Sequence, residues 1–160
     1  KKISRHTTHY GIDTEPAWSP NSKKLLFTSN RSGSPQIYEL TVSSNRIKRV
    51  TLDGDYNARA SYFPDGKDIV LVHGNNGVFH IGTKKLRSRF INTISKTTLD
   101  ESPTISPNGN IIIYATKNNS QGYLAGLTLD GKSKFTLPVK FGSVREPAWS
   151  PFMNLSLIHI

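Results

Sequence analysis

The hexapeptide EPAWSP occurs twice in this chain, at residues 15–20 and again at 146–151. Between the copies lie two divergent versions of the same phrase, ARASYFPDGKDIVLV at 58–72 and ESPTISPNGNIIIYA at 101–115. Aligned on the second proline, the four copies place Pro20, Pro64, Pro107 and Pro151 at spacings of 44, 43 and 44 residues. A period of this length restricts the fold to a series of supersecondary units, each of which buries its apolar face only against its neighbours.

Each unit reads as four strands. In the first, TEPAWS is a short strand, PNSKK a tight turn, LLFTS an apolar strand, NRSGSP a loop, QIYEL an alternating strand, VSSN a turn, and RIKRVTL a last alternating strand. Pro64-Asp65-Gly66 and Pro107-Asn108-Gly109 supply the preset φ and the tolerance of positive φ that a hairpin turn needs, with Asn21-Ser22 as the weaker first copy. Four strands per 40–45 residues is the pattern of a propeller blade, whereas helical repeats of this length need long proline-free stretches of 3.6 period. The expectation is an all-β fold, a β-propeller fragment with repeats at about 14–56, 57–99 and 100–142 and a partial one at 143–160. No Trp-Asp dipeptide closes a repeat, so the ordinary WD40 pattern is disfavoured. Closed propellers have 4–8 blades. Three blades and the start of a fourth therefore read as the C-terminal part of a longer protein.

Composition narrows the rest. With 160 residues of which 35% are apolar, the chain is at most one domain. No apolar run approaches the ~20 residues that cross a bilayer, and KKISRHTTHY lacks the apolar centre of a signal peptide. The protein is then cytosolic, or its front end lies outside this chain. The absence of cysteine excludes disulfides and thiolate metal sites.

Apparent chemical motifs find structural explanations. Residues 126–133, GLTLDGKS, satisfy the phosphate-loop pattern, but the following KFTLPV is a strand, where that motif requires a helix N-terminus. His6 and His9, His73 and His80, and His159 form no metalloprotease pattern, and no G-x-S-x-G elbow is present. The sequons at Asn30, Asn118 and Asn154 matter only in a eukaryotic secretory protein. Trp18 and Trp149 are expected to pack between blades, from their repeated place on the innermost strand. No catalytic group, cofactor or metal is expected.

Charge is segregated along the repeat. The turns between third and fourth strands hold Arg46, Lys48 and Arg49, then Lys84, Lys85, Arg87 and Arg89, then Lys132 and Lys134. The loops leading into the first strands hold Asp13, Thr14 and Glu15, then Arg59, then Asp100 and Glu101, then Arg145 and Glu146. In an up-and-down blade these two sets lie on opposite faces, one basic and one mixed. A net charge of +10 suits polyanions. The basic residues lie on short turns without interleaved aromatics, so a solvated face is the expected reading and nucleic acid is not the expected partner, an anionic envelope surface or partner being the alternative left beside it.

TEPAWSPNSKKLLFTSNRSGSPQIYEL, LDESPTISPNGNIIIYATKN and REPAWSPFM resemble the TolB-like family of the Tol–Pal cell-envelope system, over essentially the whole chain. The resemblance implies a small N-terminal α/β domain and a six-bladed propeller, of which this chain looks like the last three blades, in the periplasm of a Gram-negative bacterium. It implies a non-enzymatic scaffold that binds the peptidoglycan-associated lipoprotein Pal, other Tol proteins and colicin translocation segments, and supports outer-membrane integrity and cell division. Thr14 and Glu15 match the family's T-E-P binding motif. Pseudo-symmetry brings Asp13, Arg59, Asp100, Glu101, Arg145 and Glu146 to the same rim. The other class left open is the accessory propeller of a prolyl oligopeptidase-like peptidase. Three blades are half of six, so exposed blade faces are expected to drive self-association of this chain.

Overall fold

The computed structural model describes residues 3–118, 121–130, 132–139 and 141–151. Among them the structure is all-β and without helix, as the repeat predicts. Strands β1 (Asp13–Trp18), β2 (Lys24–Ser29), β3 (Gln36–Thr41) and β4 (Arg46–Arg49) form one antiparallel sheet in chain order. A second sheet contains β5 (Tyr56–Tyr62), β6 (Asp68–Asn75), β7 (Val78–Lys85) and β8 (Asn92–Thr93). The third contains β9 (Glu101–Ile105), β10 (Ile111–Asn118), β11 (Gln121–Thr128) and β12 (Lys134–Leu137). The tail 152–160, with His159 and the Asn154 sequon, lies outside the described residues, as does Ser120 of the Asn118 sequon.

The second half of the repeated hexapeptide makes the first turn of each blade. The carbonyls of Ser19, Phe63 and Ser106 accept from the backbone N–H of Ser22, Gly66 and Gly109 at 2.8, 2.9 and 2.8 Å. The proline that follows each carbonyl presets the turn. Ser22, Gly66 and Gly109 then adopt positive φ (56°, 69° and 77°), which costs the two glycines nothing. Asn21, Asp65 and Asn108 each accept from the backbone two residues on, fixing the tip.

Two cores lie between the sheets. Leu26, Ile37 and Val50 of the first blade meet Ala60, Tyr62, Ile69 and Leu71 of the second. Phe63, Val70, Val72 and Ile81 of the second meet Ile112, Tyr114, Ala125 and Leu127 of the third. Each fully buried Leu, Ile or Val contributes about 1.5–3 kcal/mol. A buried amide cluster reinforces the first junction: Gln36 Oε1 accepts from Thr51 Oγ1 (2.7 Å) and from Asn57 Nδ2 (3.0 Å).

One expectation about the core fails. Trp18 is 57% exposed, although the same station in the second blade, Tyr62, is buried and donates its hydroxyl to Glu39 Oε2 at 2.9 Å. Tyr62 has the first blade to pack against. Among the described residues no blade lies on the Trp18 side of the first sheet, only the segment leading into β1. Trp149 is half-buried.

Candidate functional site

Strands β1, β5 and β9 lie side by side as the innermost strands, and each is interrupted by a bulge at the same station. Thr14 pairs with Thr28 and Ala17 with Leu26, so Glu15 and Pro16 oppose the single residue Phe27. Arg59 and Ala60 oppose Leu71, and Ser102 and Pro103 oppose Tyr114, in the same way. The first residue of each bulge is left-handed: Glu15, Arg59 and Ser102 have φ of 56°, 54° and 53°, and Glu146, one period further on, has 52°. For a residue with a β-carbon this conformation costs about 1–3 kcal/mol. The proline after Glu15, Ser102 and Glu146 has no N–H to forfeit from the ladder, which suits it to a bulge. This is the work of the hexapeptide's first half.

The three left-handed bulge residues and Glu146 converge. Glu15 Oε2 accepts from Thr28 Oγ1 at 2.7 Å and from the Arg59 backbone N–H at 3.1 Å, while its Oε1 lies 3.0 Å from Arg59 Nε. Arg59 Nη1 continues the chain to Ser102 Oγ (3.0 Å) and Glu146 Oε1 (3.1 Å). A single guanidinium thus connects all three blades and the fourth copy of the motif. Glu101 and Arg145 add a looser pair at 3.5 Å, and Thr14 is exposed beside the network. Next to it opens a cleft of about 340 Å³ lined by Glu15, Tyr56, Arg59, Phe79, Leu99 and Glu101. Tyr56 and Phe79 meet edge to face there, 5.1 Å apart. A charged rim around an aromatic floor can receive a polypeptide segment by pairing its charges and seating one apolar side chain.

The predicted rim residues divide into three kinds. Thr14, Glu15, Arg59, Glu101, Arg145 and Glu146 belong to this surface. Asp13 faces sideways: Arg31 Nη2 lies 2.9 and 3.0 Å from its two oxygens, and the guanidinium stacks over Phe27 and Tyr38. Burial would raise the Asp13 carboxyl, but hydrogen bonds from Ser29, Arg31 and Thr7 outweigh it and hold the group below the ordinary range. Asp100 is only 1% exposed and accepts from the hydroxyls of Ser95 and Thr97, so its carboxylate fastens the connection into β9. Thr14 and Glu15 lie within β1 at its bulge, not on a loop before it. Ser102, Thr28, Tyr56, Phe79 and Leu99 also belong to this surface, although no motif in the sequence singles them out. The repeat spacing that aligns Glu15 with Arg59 also aligns Ser102.

The other motifs take structural places. The phosphate-loop look-alike spans the end of β11 and the turn into β12, and its Gly131 lies outside the described residues. Its Gly126 is explained by Phe135, whose ring covers the backbone so closely that a β-carbon would fall 2.1 Å from it. His6 Nδ1 lies 2.7 Å from Asn45 Oδ1, and His9 stacks on Tyr10. His73 Nδ1 lies 2.9 Å from Asn57 Oδ1. Among the described residues no group of three His, Cys, Asp or Glu could hold a metal ion, and no helix is long and apolar enough to cross a membrane.

Comparison with known proteins places these features in context. The family model described as the TolB beta propeller domain matches residues 1–153. The Tol-Pal system protein TolB of Pseudomonas aeruginosa is 42% identical over 103 residues, 63% of this chain and 24% of that protein. Its counterpart in Xanthomonas campestris pv. campestris is 39% identical over 116 residues, 71% of this chain and 26% of the relative. The crystal structure of TolB from Acinetobacter baumannii superposes with a TM-score of 0.87 at 41% identity, covering 94% of this chain and 38% of that one. The matched region thus spans about a quarter of the length of the curated relatives. A prolyl endopeptidase structure reaches a TM-score of 0.63 at 16% identity over 82% of this chain and 22% of that one, which is a likeness of fold alone.

Proposed function

Because the chain belongs to the TolB β-propeller family, we propose that it serves in the Tol–Pal system as a non-enzymatic scaffold, its rim receiving a segment of the lipoprotein Pal in the periplasm. Other Tol proteins and colicin translocation segments are further partners in this reading, and outer-membrane integrity and cell division are the processes it supports. The observation that carries the proposal is the Glu15–Arg59–Glu146 chain, built on the left-handed bulge residues Glu15, Arg59 and Ser102 and on the left-handed Glu146 one period further on. A sheet has no need of that strain, and strained backbone of this kind clusters at binding surfaces. The adjoining cleft offers the aromatic floor that an interface anchor requires.

Titration calorimetry with purified Pal, using the propeller carrying this segment, tests the proposal. Thr14→Ile is the cleanest variant, since Thr14 is exposed and its side chain holds nothing together. It is expected to weaken Pal binding by about 1–3 kcal/mol, as is Glu15→Ala. Glu15→Ala also removes the Thr28 and Arg59 contacts and so needs a melting curve beside it. Lys85→Ala, on the opposite face, is expected to leave affinity unchanged. Rim variants with wild-type affinity, or a larger loss at Lys85, would assign binding to the other side.

A further inference from the structure

The face opposite the rim is continuous and built. In each blade the two turns on this face are tied together: Val42, Leu86 and Leu129 donate their backbone N–H to the carbonyls of Lys23, Lys67 and Asn110 at 3.1, 3.0 and 3.3 Å. Neighbouring blades abut here, with the Pro20 ring beside Gly66 and the Pro64 ring beside Gly109. Of the eleven acidic residues in the sequence, only Asp65, Asp68 and Asp130 belong to these turns or their margins, against exposed cations in every blade.

The turn between β7 and β8 departs from its counterparts. It runs over residues 86–91, whereas the first blade manages the same reversal with 42–45. No residue is added, since Gly82 and Thr93 pair across the same chain length as Tyr38 and Arg49, but the unpaired tip is wider; it carries Arg87, Arg89 and Phe90, and Phe90 is 78% exposed. This tip is held in place from below. Lys84 is 3% exposed, and its ammonium donates to the carbonyls of Lys85 and Ser88. Ser88 Oγ in turn accepts from the Phe90 backbone N–H at 3.1 Å. In the next blade Leu129, at the station of Leu86, is 40% exposed. Phe90 therefore projects among cations, while Leu129 on the adjacent blade lines a cleft with Asp65 and Asp68. A hairpin turn has no use for an exposed phenylalanine, and a solvated face has no use for a buried lysine that fixes one.

We propose that this face docks onto an anionic lipid surface, with Lys85, Arg87 and Arg89 at the level of the headgroup phosphates and Phe90 inserted at the acyl boundary. Cations beside an apolar tip are the chemistry that binds such an interface, the charges by attraction to anionic lipid and the ring by burial. A nucleic acid would use the charges but not a single aromatic at a turn tip, since stacking needs a row of rings along a groove. Docked this way, the rim points away from the lipid and stays open, so this inference stands independently of the partner proposed for the rim.

Cosedimentation of the 160-residue chain with vesicles tests it, using phosphatidylcholine alone and phosphatidylcholine with increasing phosphatidylglycerol. Binding is expected only with the anionic lipid, and weakens with salt. Each of Lys85→Ala, Arg87→Ala and Arg89→Ala should lower it about fivefold, as for a basic residue near such a surface. Phe90→Ser should lower it further at fixed charge, and in Phe90→Trp the added fluorescence should shift to the blue on binding. Thr14→Ile, at the rim, should bind vesicles as wild type does. Equal binding to neutral vesicles, or no loss in the three cationic variants, overturns the proposal. Binding that ignores Phe90→Ser and is displaced by a short DNA duplex overturns it in favour of a general polyanion surface.

Discussion

Arg31 shows how a single side chain can set the rigidity of a site it does not enter. Its guanidinium joins Asp13 to the apolar face of the first sheet, lying 5.1 Å from the Phe27 ring and 4.9 Å from that of Tyr38. Asp13 immediately precedes Thr14, so this pair fixes the approach to the bulge. The Asp13 carboxyl is held below its ordinary value against the opposing effect of burial. A depressed carboxylate contributes stability that is present above its unfolded value, near 3.9, and is lost as pH falls through the folded one. Asp13→Asn is therefore expected to cost about 1 kcal/mol at pH 7, the pair being partly solvated. Denaturant titrations at pH 7 and at pH 2 check this: the gap between variant and wild type should close at the lower pH, and a gap that persists would mean that packing, not charge, is at stake. At this scale the sequence located the station but not its geometry. The letters Glu-Pro and Ser-Pro mark the bulges of the first and third blades, while Arg59-Ala60 in the second carries no such mark, and nothing local shows that Glu15 turns left-handed or that Arg59 reaches across three blades. Asp100 occupies the station of Asp13 in the repeat, which predicts a place on the rim. Ser95 and Thr97, a few residues upstream, draw it inward instead, a tertiary arrangement that no spacing predicts.

The hairpins were the most legible elements, because proline, a carbonyl acceptor and a residue tolerant of positive φ must follow one another at fixed offsets wherever this turn is made. Strand faces were less so. The run Lys84-Lys85 reads as a pair of surface cations, but successive residues of a strand point to opposite faces. One of the two had to turn inward, and Lys84 does, opposite Ile69 in the ladder. Burial pushes its ammonium below the ordinary lysine range, and the nearby Lys48 adds to this. Lys84→Ala is accordingly expected to destabilise the fold by about 1–3 kcal/mol, since it leaves two carbonyls without their donor and a hole beneath the turn. Lys85→Ala should change stability by less than about 0.5 kcal/mol. Thermal melts of the two variants side by side decide it. Equal, small effects would show that the turn holds its shape without the buried ammonium. The short β8, only Asn92–Thr93, was equally hidden from the sequence. Its blade spends those residues on the longer turn that presents Phe90.

A blade is stable only when both of its faces are covered, and this determines how the whole molecule behaves in solution. The faces between the first and second sheets, and between the second and third, are closed by the two cores. The remaining face of the first sheet is apolar by register. Trp18 pairs with Leu25, Leu25 with Leu40, Leu40 with Ile47, and Phe27 with Tyr38, so all six side chains share one side. The segment leading into β1 crosses it, where His6 and Thr7 share a cleft with Leu25, Phe27 and Leu40, but leaves Trp18 open. At the far end, Phe135 and Leu137 of β12 are exposed in part. Apolar area of this kind at both ends of a stack favours association. A two-fold arrangement in which the first sheet of each copy meets the third sheet of the other would bring six blades together and cover both ends at once. The 160-residue chain is therefore expected to sediment above its 17.8 kDa monomer mass, increasingly so with concentration. Trp18→Lys, which places a charge in the middle of the uncovered face, should return it to the monomer while leaving the two internal cores and the far-ultraviolet β spectrum intact. A wild-type chain that stays at 17.8 kDa at high concentration would mean that the segment leading into β1 covers the first sheet sufficiently alone, and that the exposed indole serves something other than a second copy.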